Sequence, residues 1–201
     1  MKKYLYIVRH GQTNYNKSEL VQGRQIDAEL NEKGLEQASA LFEFYKDKYF
    51  DKCYTSTLQR TWQTVDGFLQ GDLKWEKLSG LDEMDYGAFE GNPIDDTVMA
   101  LNDAWNRGEV DAKAEGGESP QDVQDRQKEA ISYIISQKEE KHVLVCMHSR
   151  AIRILLCLLL QKPLVEMKNY IPKNTGVTTV VYDEETQEFS LEDFNRVDHL
   201  A

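Results

Sequence analysis

Two apolar runs end in histidine. Tyr4-Leu5-Tyr6-Ile7-Val8 passes into Arg9-His10-Gly11, and Val143-Leu144-Val145-Cys146-Met147 passes into His148-Ser149-Arg150. Short continuous apolar runs bounded by turn residues predict strands buried on both faces, as in a parallel sheet. Residues 52–55 and 73–78 read as further short strands, 176–182 as another, and 188–194 as an edge strand. Between them the period shifts to that of a helix. Leu35, Ala38, Leu41, Phe42 and Tyr45 form one apolar face behind Asn31 as N-cap. A second helix is expected from Ser56 to Leu69, with Gly71 as its stop, and a third over residues 150–161. Ser119 before Pro120, with Asp122 following, starts a helix that should reach about Lys138. Residues 9–25 have no period and read as a functional loop. Residues 80–117 are interrupted by Gly87, Gly91 and Pro93, with a helix over 95–107, and read as an insertion capping the site. Strands alternating with helices predict an α/β three-layer sandwich: a mostly parallel central sheet flanked by helices, in a single domain over residues 1–201.

Composition narrows the partners. With 201 residues, 40% of them hydrophobic, the chain can bury one sizeable core. Lys and Arg number 24 against 35 Asp and Glu, a net charge of −11. An acidic surface disfavours nucleic acid and anionic membrane as partners, yet leaves room for a locally positive pocket. Cys53, Cys146 and Cys157 are scattered without framework spacing and suggest reduced thiols in the cytoplasm. The first residues lack a signal-peptide pattern, and the longest apolar stretch, 154–160, is too short to span a bilayer. The oligomeric state leaves no mark in the sequence.

The two histidines change the picture most. In a parallel α/β sheet, ligands bind beyond the carboxyl ends of the strands, where both fall. On neighbouring strands, one neutral imidazole could attack phosphorus while the other, protonated, stabilised the charge of the transferring group. Arg9 adjoins His10, and Arg60 falls in the first turns of a helix; their paired donors match phosphate geometry. The helix opening after His148 would add amide donors, and Asn16 another. Glu83, between Asp82 and Asp85, is a candidate acid for the leaving group, and Tyr86 either lines the pocket or packs. Arg150 and Arg153 share a helix and stay outside the catalytic set, on the expectation of a surface salt bridge. His142 and His199 read as bland, and Trp62, Trp75 and Trp105 as packing residues.

Together these segments resemble the histidine phosphatase superfamily, also called phosphoglycerate mutase-like, over nearly the whole chain. Arg9-His10-Gly11-Gln12-Thr13 resembles its RHG signature, with Asn16 in the matching place. Gln22-Gly23, Asp27, Leu30, Gly34 and Gln37-Ala38 resemble the loop and helix that follow. The segment 56–64 with Arg60, Leu81-Asp82-Glu83 with Gly87 and Glu90-Gly91, Gly116-Gly117-Glu118-Ser119, His148 with Ile152-Arg153, and Asn174-Thr175-Gly176-Val177 resemble the later motifs in order. The resemblance implies that His10 becomes phosphohistidine and is then hydrolysed. Arg9, Arg60, Asn16 and His148 would grip the phosphoryl oxygens, and Glu83 would protonate the leaving alcohol and then assist water. Gln22, Gly23, Ser149 and Tyr86 join as further phosphate- or substrate-binding candidates. Ser149 stands where glycine commonly follows the second histidine, and its hydroxyl could contact phosphate. No metal or cofactor is implied, since arginines and the second histidine supply the charge. The expected activity is that of a metal-independent phosphatase of small phosphorylated metabolites. A phosphoglycerate mutase is the first alternative, although residues 92–115 offer only Arg107 and Lys113 where mutases of this kind carry paired arginines. An inactive binding module is the second, opposed by the intact set His10, Arg9, Arg60, Glu83 and His148. A metal-binding protein is a weaker third, because the histidines lack ligand-like spacing.

Overall fold

Side chains that are apolar on both faces place β1 (Lys2–Arg9) in the middle of the sheet, with Leu5, Ile7 and Val8 fully buried. In the computed structural model, which describes residues 1–201, β1 runs parallel to β4 (His142–Met147) and antiparallel to β5 (Val177–Asp183). β2 (Lys52–Thr55) extends the sheet beyond β4, and β3 (Trp75–Lys77) beyond β2, both in parallel. β6 (Glu188–Arg196) closes the other edge, giving the order β3-β2-β4-β1-β5-β6. The expected parallel sheet therefore holds for β1 to β4. β5 and β6 are antiparallel, because only residues 184–187 join them and a parallel crossover needs a far longer connection.

Alternation along each strand divides the core in two. Leu5, Ile7, Val143 and Val145 face α5 (Pro120–Ser136) and α6 (Ser149–Leu159), meeting Ile131, Ile134, Ile152 and Leu155. Tyr6, Val8, Leu144 and Cys146 face the opposite layer, where α2 (Glu32–Tyr45) and α3 (Gln59–Leu69) contribute Leu41 and Val65. The caps form as expected. Asn31 Oδ1 accepts from Gly34 N at 2.9 Å, and Ser119 and Asp122 bond reciprocally at 3.1 and 3.0 Å.

Several boundaries differ. The loop after β1 holds one short helix, α1 (Asn14–Lys17), capped by Thr13. α3 begins at Gln59 rather than Ser56, because Ser56 turns inward to the site. Leu35 is exposed and Gly34 is buried in its place. α2 is turned that way because Gly34 lies against the Gly11-Gln12 backbone: a Cβ on Gly34 would overlap the Gln12 carbonyl oxygen, and one on Gly11 would lie 2.8 Å from Gly34 O. Residues 80–117 hold 3₁₀ turns and α4 (Asp96–Asn106), capped by Asp95. A 3₁₀ segment, Leu164–Asn169, has no periodic signal and packs under α6, where Leu164 and Met167 join Trp105 and Ile154. No helix is long and apolar enough to cross a membrane.

Candidate active site

The register places Arg9 opposite Met147, so the next residues, His10 and His148, leave adjacent parallel strands side by side. Their ring centroids lie 5.1 Å apart, tilted by 58°. The His10 backbone N–H donates to Met147 O at 3.0 Å, and Asn174 Nδ2 donates to His10 O at 2.9 Å. The His10 ring is oriented by its own neighbour. Nδ1 lies 2.7 Å from Gly11 O, and a carbonyl only accepts, so Nδ1 carries the proton and Nε2 keeps its lone pair. Gly11 N in turn donates to Thr64 Oγ1 at 2.8 Å, fixing that turn.

His148 is held differently. Arg60 Nε–H donates to His148 Nδ1 at 3.2 Å, so the ring proton sits on Nε2 and faces Ser56 Oγ at 2.7 Å. Arg60 is itself fully buried, with Nη1 donating to Ile26 O at 2.6 Å and Nη2 to Gly23 O at 3.1 Å. Gly23 therefore anchors Arg60 from behind and does not line the cavity; a Cβ there would meet Met84 O at 2.6 Å.

Above this layer lies a cavity of about 190 Å³ whose walls include Arg9, His10, Asn16, Gln22, Glu83 and Tyr86. That volume fits a phosphoryl group and the part of a ligand next to it, and the cavity opens to solvent beyond. Ser149, at the start of α6, also lines it. Arg60 and His148 sit directly beneath, fully buried. Two buried donors have no partner: Arg9 Nε, although Arg9 Nη1 donates to Pro172 O at 2.9 Å, and Gln22 Nε2. The Gln22 carbonyl is occupied by Thr13 Oγ1–H at 2.7 Å and Asn16 Nδ2 at 3.4 Å, which leaves the amide as the free end. Glu83 meets the first turn of α6. Its Oε1 accepts from Met84 N and Ala151 N, each at 2.9 Å, and its Oε2 from Arg150 N at 3.1 Å. The amide donors expected to meet a ligand at that helix end are thus already directed at a carboxylate, which caps a helix whose N-cap residue, His148, makes no side-chain cap.

Burial, reinforced by the cations of Arg60 and Arg9, lowers the pKa of His10 well below 6.5, against a smaller upward pull from the Gly11 carbonyl. Burial followed by Arg60 and His10 does the same to His148. His148 is therefore neutral in the unliganded chain, where a protonated ring was expected, and a second proton on Nδ1 would oppose the Arg60 N–H. An unfolded chain takes up protons on both rings near pH 6.5, and the folded chain does so only at lower pH. Below about 6.5 the unfolded state binds more protons, so stability is complete above that pH and is lost as pH falls toward the lowered values. The expected slope is up to about 1.4 kcal/mol per pH unit for each ring. Thermal melts between about pH 7 and 5 check this against a His10→Gln/His148→Gln protein, which should lose less stability; equal losses would contradict it.

The model of the histidine phosphatase superfamily (branch 1) matches residues 5–195. The chain belongs to this superfamily. Among similar proteins, the fructose-2,6-bisphosphatase TIGAR of Bos taurus is 39% identical over 121 residues, covering 58% of this chain and 41% of that protein. The chain spans about half the length of the TIGAR relatives it matches. A protein of Salmonella choleraesuis named "Probable phosphoglycerate mutase GpmB" is 28% identical over 187 residues, covering 90% of this chain and 85% of that one. The structure of a mycobacterial glucosyl-3-phosphoglycerate phosphatase in complex with VO3 superposes with a TM-score of 0.87 at 25% identity, covering 97% of this chain and all of that one.

Against this histidine phosphatase frame, Arg9, His10, Asn16, Gln22, Glu83, Tyr86 and Ser149 converge on the cavity, while Arg60, His148 and Gly23 form the layer behind it. Arg150 and Arg153, set aside in the sequence, both line the cavity and bridge to no acid. Ser56, expected at a helix start within the motif that carries Arg60, instead faces His148 Nε2 at 2.7 Å. The signal that could have marked it is its place at the end of β2, a third strand of the same sheet edge. His142 accepts the expected structural role, 3.2 Å from Tyr6 Oη and stacked on Tyr4, and buried His199 bonds Thr175 Oγ1 at 2.9 Å. Trp105 is buried and donates to Ala112 O at 2.7 Å, as a packing residue would.

Proposed function

We propose that the chain hydrolyses small-molecule phosphomonoesters through a phosphohistidine on His10. The observation that carries this reading is the His10 ring itself: neutral, with Nδ1–H committed to Gly11 O, the Nε2 lone pair without a protein partner, and the His148 ring centroid 5.1 Å from its own. Nε2 attacks phosphorus and the bond from phosphorus to the leaving oxygen breaks. Arg9 Nε and Gln22 Nε2, buried donors without partners, take phosphoryl oxygens, with Asn16 beside them. Arg60 and His148 add positive potential and N–H dipoles from beneath. Glu83 delivers the leaving-group proton. The phosphate monoanion brings that proton in as it enters, and the Glu83 carboxyl passes it to the leaving oxygen. The same carboxylate then takes a proton from the water that cleaves the P–N bond, which releases inorganic phosphate and restores His10. Residues 80–117 supply Glu83, Tyr86, Val98 and Asn102 to the cavity and act as its specificity-setting cap within a single domain. The three cysteines are free and buried, in keeping with a reducing cytoplasm.

The likeness to the Salmonella protein supports a second reading, phosphoglycerate mutase transfer, in which the phosphoryl group returns to a phosphoglycerate. Hydrolysis is favoured because Arg107 and Lys113 pair with Glu109 and Asp122 on the exposed surface and do not line the cavity. The test is turnover of p-nitrophenyl phosphate with released phosphate measured, and phosphoglycerate isomerisation followed in parallel. Vanadate, which mimics five-coordinate phosphorus, is expected to inhibit, while EDTA leaves turnover intact. Activity lost to EDTA, or isomerisation outrunning phosphate release, would reject this reading.

A further inference from the structure

Thr175 stands apart in the backbone. Five residues other than glycine have positive φ: Glu19, Gln161, Thr175, Gln187 and Asn195. Four of them are unbranched at Cβ and exposed or half-buried. Thr175, at φ 56°, is β-branched and fully buried. That conformation strains a β-branched residue and persists only where its surroundings enforce it. The turn it shapes serves the site. Thr175 N donates to Arg9 O at 2.9 Å, and Arg9 N donates to Gly176 O at 3.3 Å. Asn174 Nδ2 donates to His10 O at 2.9 Å and lies 3.4 Å from Asn16 Oδ1. Residues 174–176 thus hold Arg9, His10 and Asn16 together.

The brace comes from the last residues of the sequence. Asn195 Oδ1 accepts from Lys173 N at 2.8 Å, at the entrance to the turn. The strained residue itself is reached by His199. Thr175 Oγ1 lies 2.8 Å from Asn174 O and 2.9 Å from His199 Nε2. A carbonyl only accepts, so the hydroxyl donates to Asn174 O, and His199 Nε2–H donates to the hydroxyl oxygen. His199 Nδ1 is then left buried with no partner. Burial lowers the pKa of the ring below 6.5, against an upward pull from Asp198, so the ring is neutral near pH 7. It sits in the 3₁₀ turn Asp198–Leu200, beside Phe44 and Tyr45 of α2 at centroid distances of 6.3 and 6.4 Å. An imidazole with a buried, unpaired nitrogen is a poor filler for a gap among aromatic rings, and leucine would occupy it at lower cost. What the imidazole adds is an N–H aimed at the side chain of the strained residue.

We propose that His199 is a positioning residue for phosphoryl transfer: through Thr175 it holds residues 174–176 in the shape that places the His10 backbone and the Asn16 side chain. This inference rests on the phosphatase reading and adds a residue to its machinery that touches no part of the cavity. Without the His199 bond the turn relaxes toward negative φ, and Asn174 withdraws from His10 O and Asn16 Oδ1.

Steady-state turnover of p-nitrophenyl phosphate by paired variants tests it. His199→Leu keeps the volume and removes the donor, and should lower kcat by about tenfold. His199→Gln keeps an N–H donor and should stay within about threefold of wild type. Thr175→Val keeps the shape and the strain but removes the hydroxyl, and should lose as much as His199→Leu. Thr175→Gly leaves a larger void yet adopts positive φ without a brace, so it should stay within about threefold. The same glycine should restore most of the activity of His199→Leu in the double variant. A residue that merely packed would give the reverse order at position 175, with valine mild and glycine severe. That order, or a His199→Leu loss that Thr175→Gly does not relieve, would overturn the inference. The comparison at position 175 decides the matter even if His199→Leu does not fold. Without wild-type turnover the phosphatase reading falls and takes this one with it; with turnover but the reverse order, only the role of His199 falls.

Discussion

Replacing His10 by alanine is expected to reduce turnover of p-nitrophenyl phosphate by at least about a thousandfold, because removing a nucleophile leaves only the binding and electrostatic contributions. Glu83→Gln should behave differently. An aryl leaving group needs little protonation, so the loss there should be about tenfold or less, whereas an alkyl phosphate should lose about a hundredfold or more. The dependence on leaving group matters because Glu83 has a second task. Its two oxygens accept from Met84 N, Ala151 N and Arg150 N, and glutamine has a single acceptor oxygen for those donors. A stability loss alone would lower both activities by the same factor. Steady-state kinetics on the two substrates distinguishes the cases, and equal losses would contradict the acid assignment.

The largest stability effect is expected at Gly34. A glycine-to-alanine change inside a helix normally stabilises by about 0.5–1 kcal/mol. Here the added Cβ would overlap Gln12 O and lie 2.9 Å from Gln12 N, both backbone atoms of the turn that carries His10. No side-chain rotation relieves that overlap, so α2 or the turn must move. Gly34→Ala should cost about 3 kcal/mol or more and lower turnover as well. Gly71→Ala is the control, because nothing lies within 4 Å of its added Cβ. Urea denaturation of the two variants should give opposite signs or a wide gap, and similar midpoints would contradict the close approach.

Much of this was legible in the sequence for identifiable reasons. β4 falls on the expected residues because its apolar run is uninterrupted. α5 starts where Ser119, Pro120 and Asp122 say it must, because a capping box is local chemistry. β3 shrinks to three residues because edge strands are set by partner contacts that local propensity does not carry. The histidines could be placed at strand ends, but their protonation could not, since it depends on Arg60 reaching His148 from another element. Arg150 and Arg153 were invisible for a related reason. Whether an arginine finds an acid is a matter of tertiary neighbourhood, and on a helix with acids elsewhere in the chain the bland expectation of a surface ion pair is reasonable. Leu35 shows the same limit: its spacing fits the apolar face, yet the glycine contact beside it turns α2 enough to leave it exposed.

The pairing of β1 with β4 has a consequence for how activity arises during synthesis. His10 leaves the ribosome well over a hundred residues before the strand beside it and the imidazole that faces it. A nascent fragment ending before β4 lacks the parallel neighbour that buries β1, and its Arg60 has no ring to hold. Such long-range pairing forms late and together. Products that stop before β4 should therefore be catalytically silent, and competence should be acquired in one step once β4 and His148 have been made.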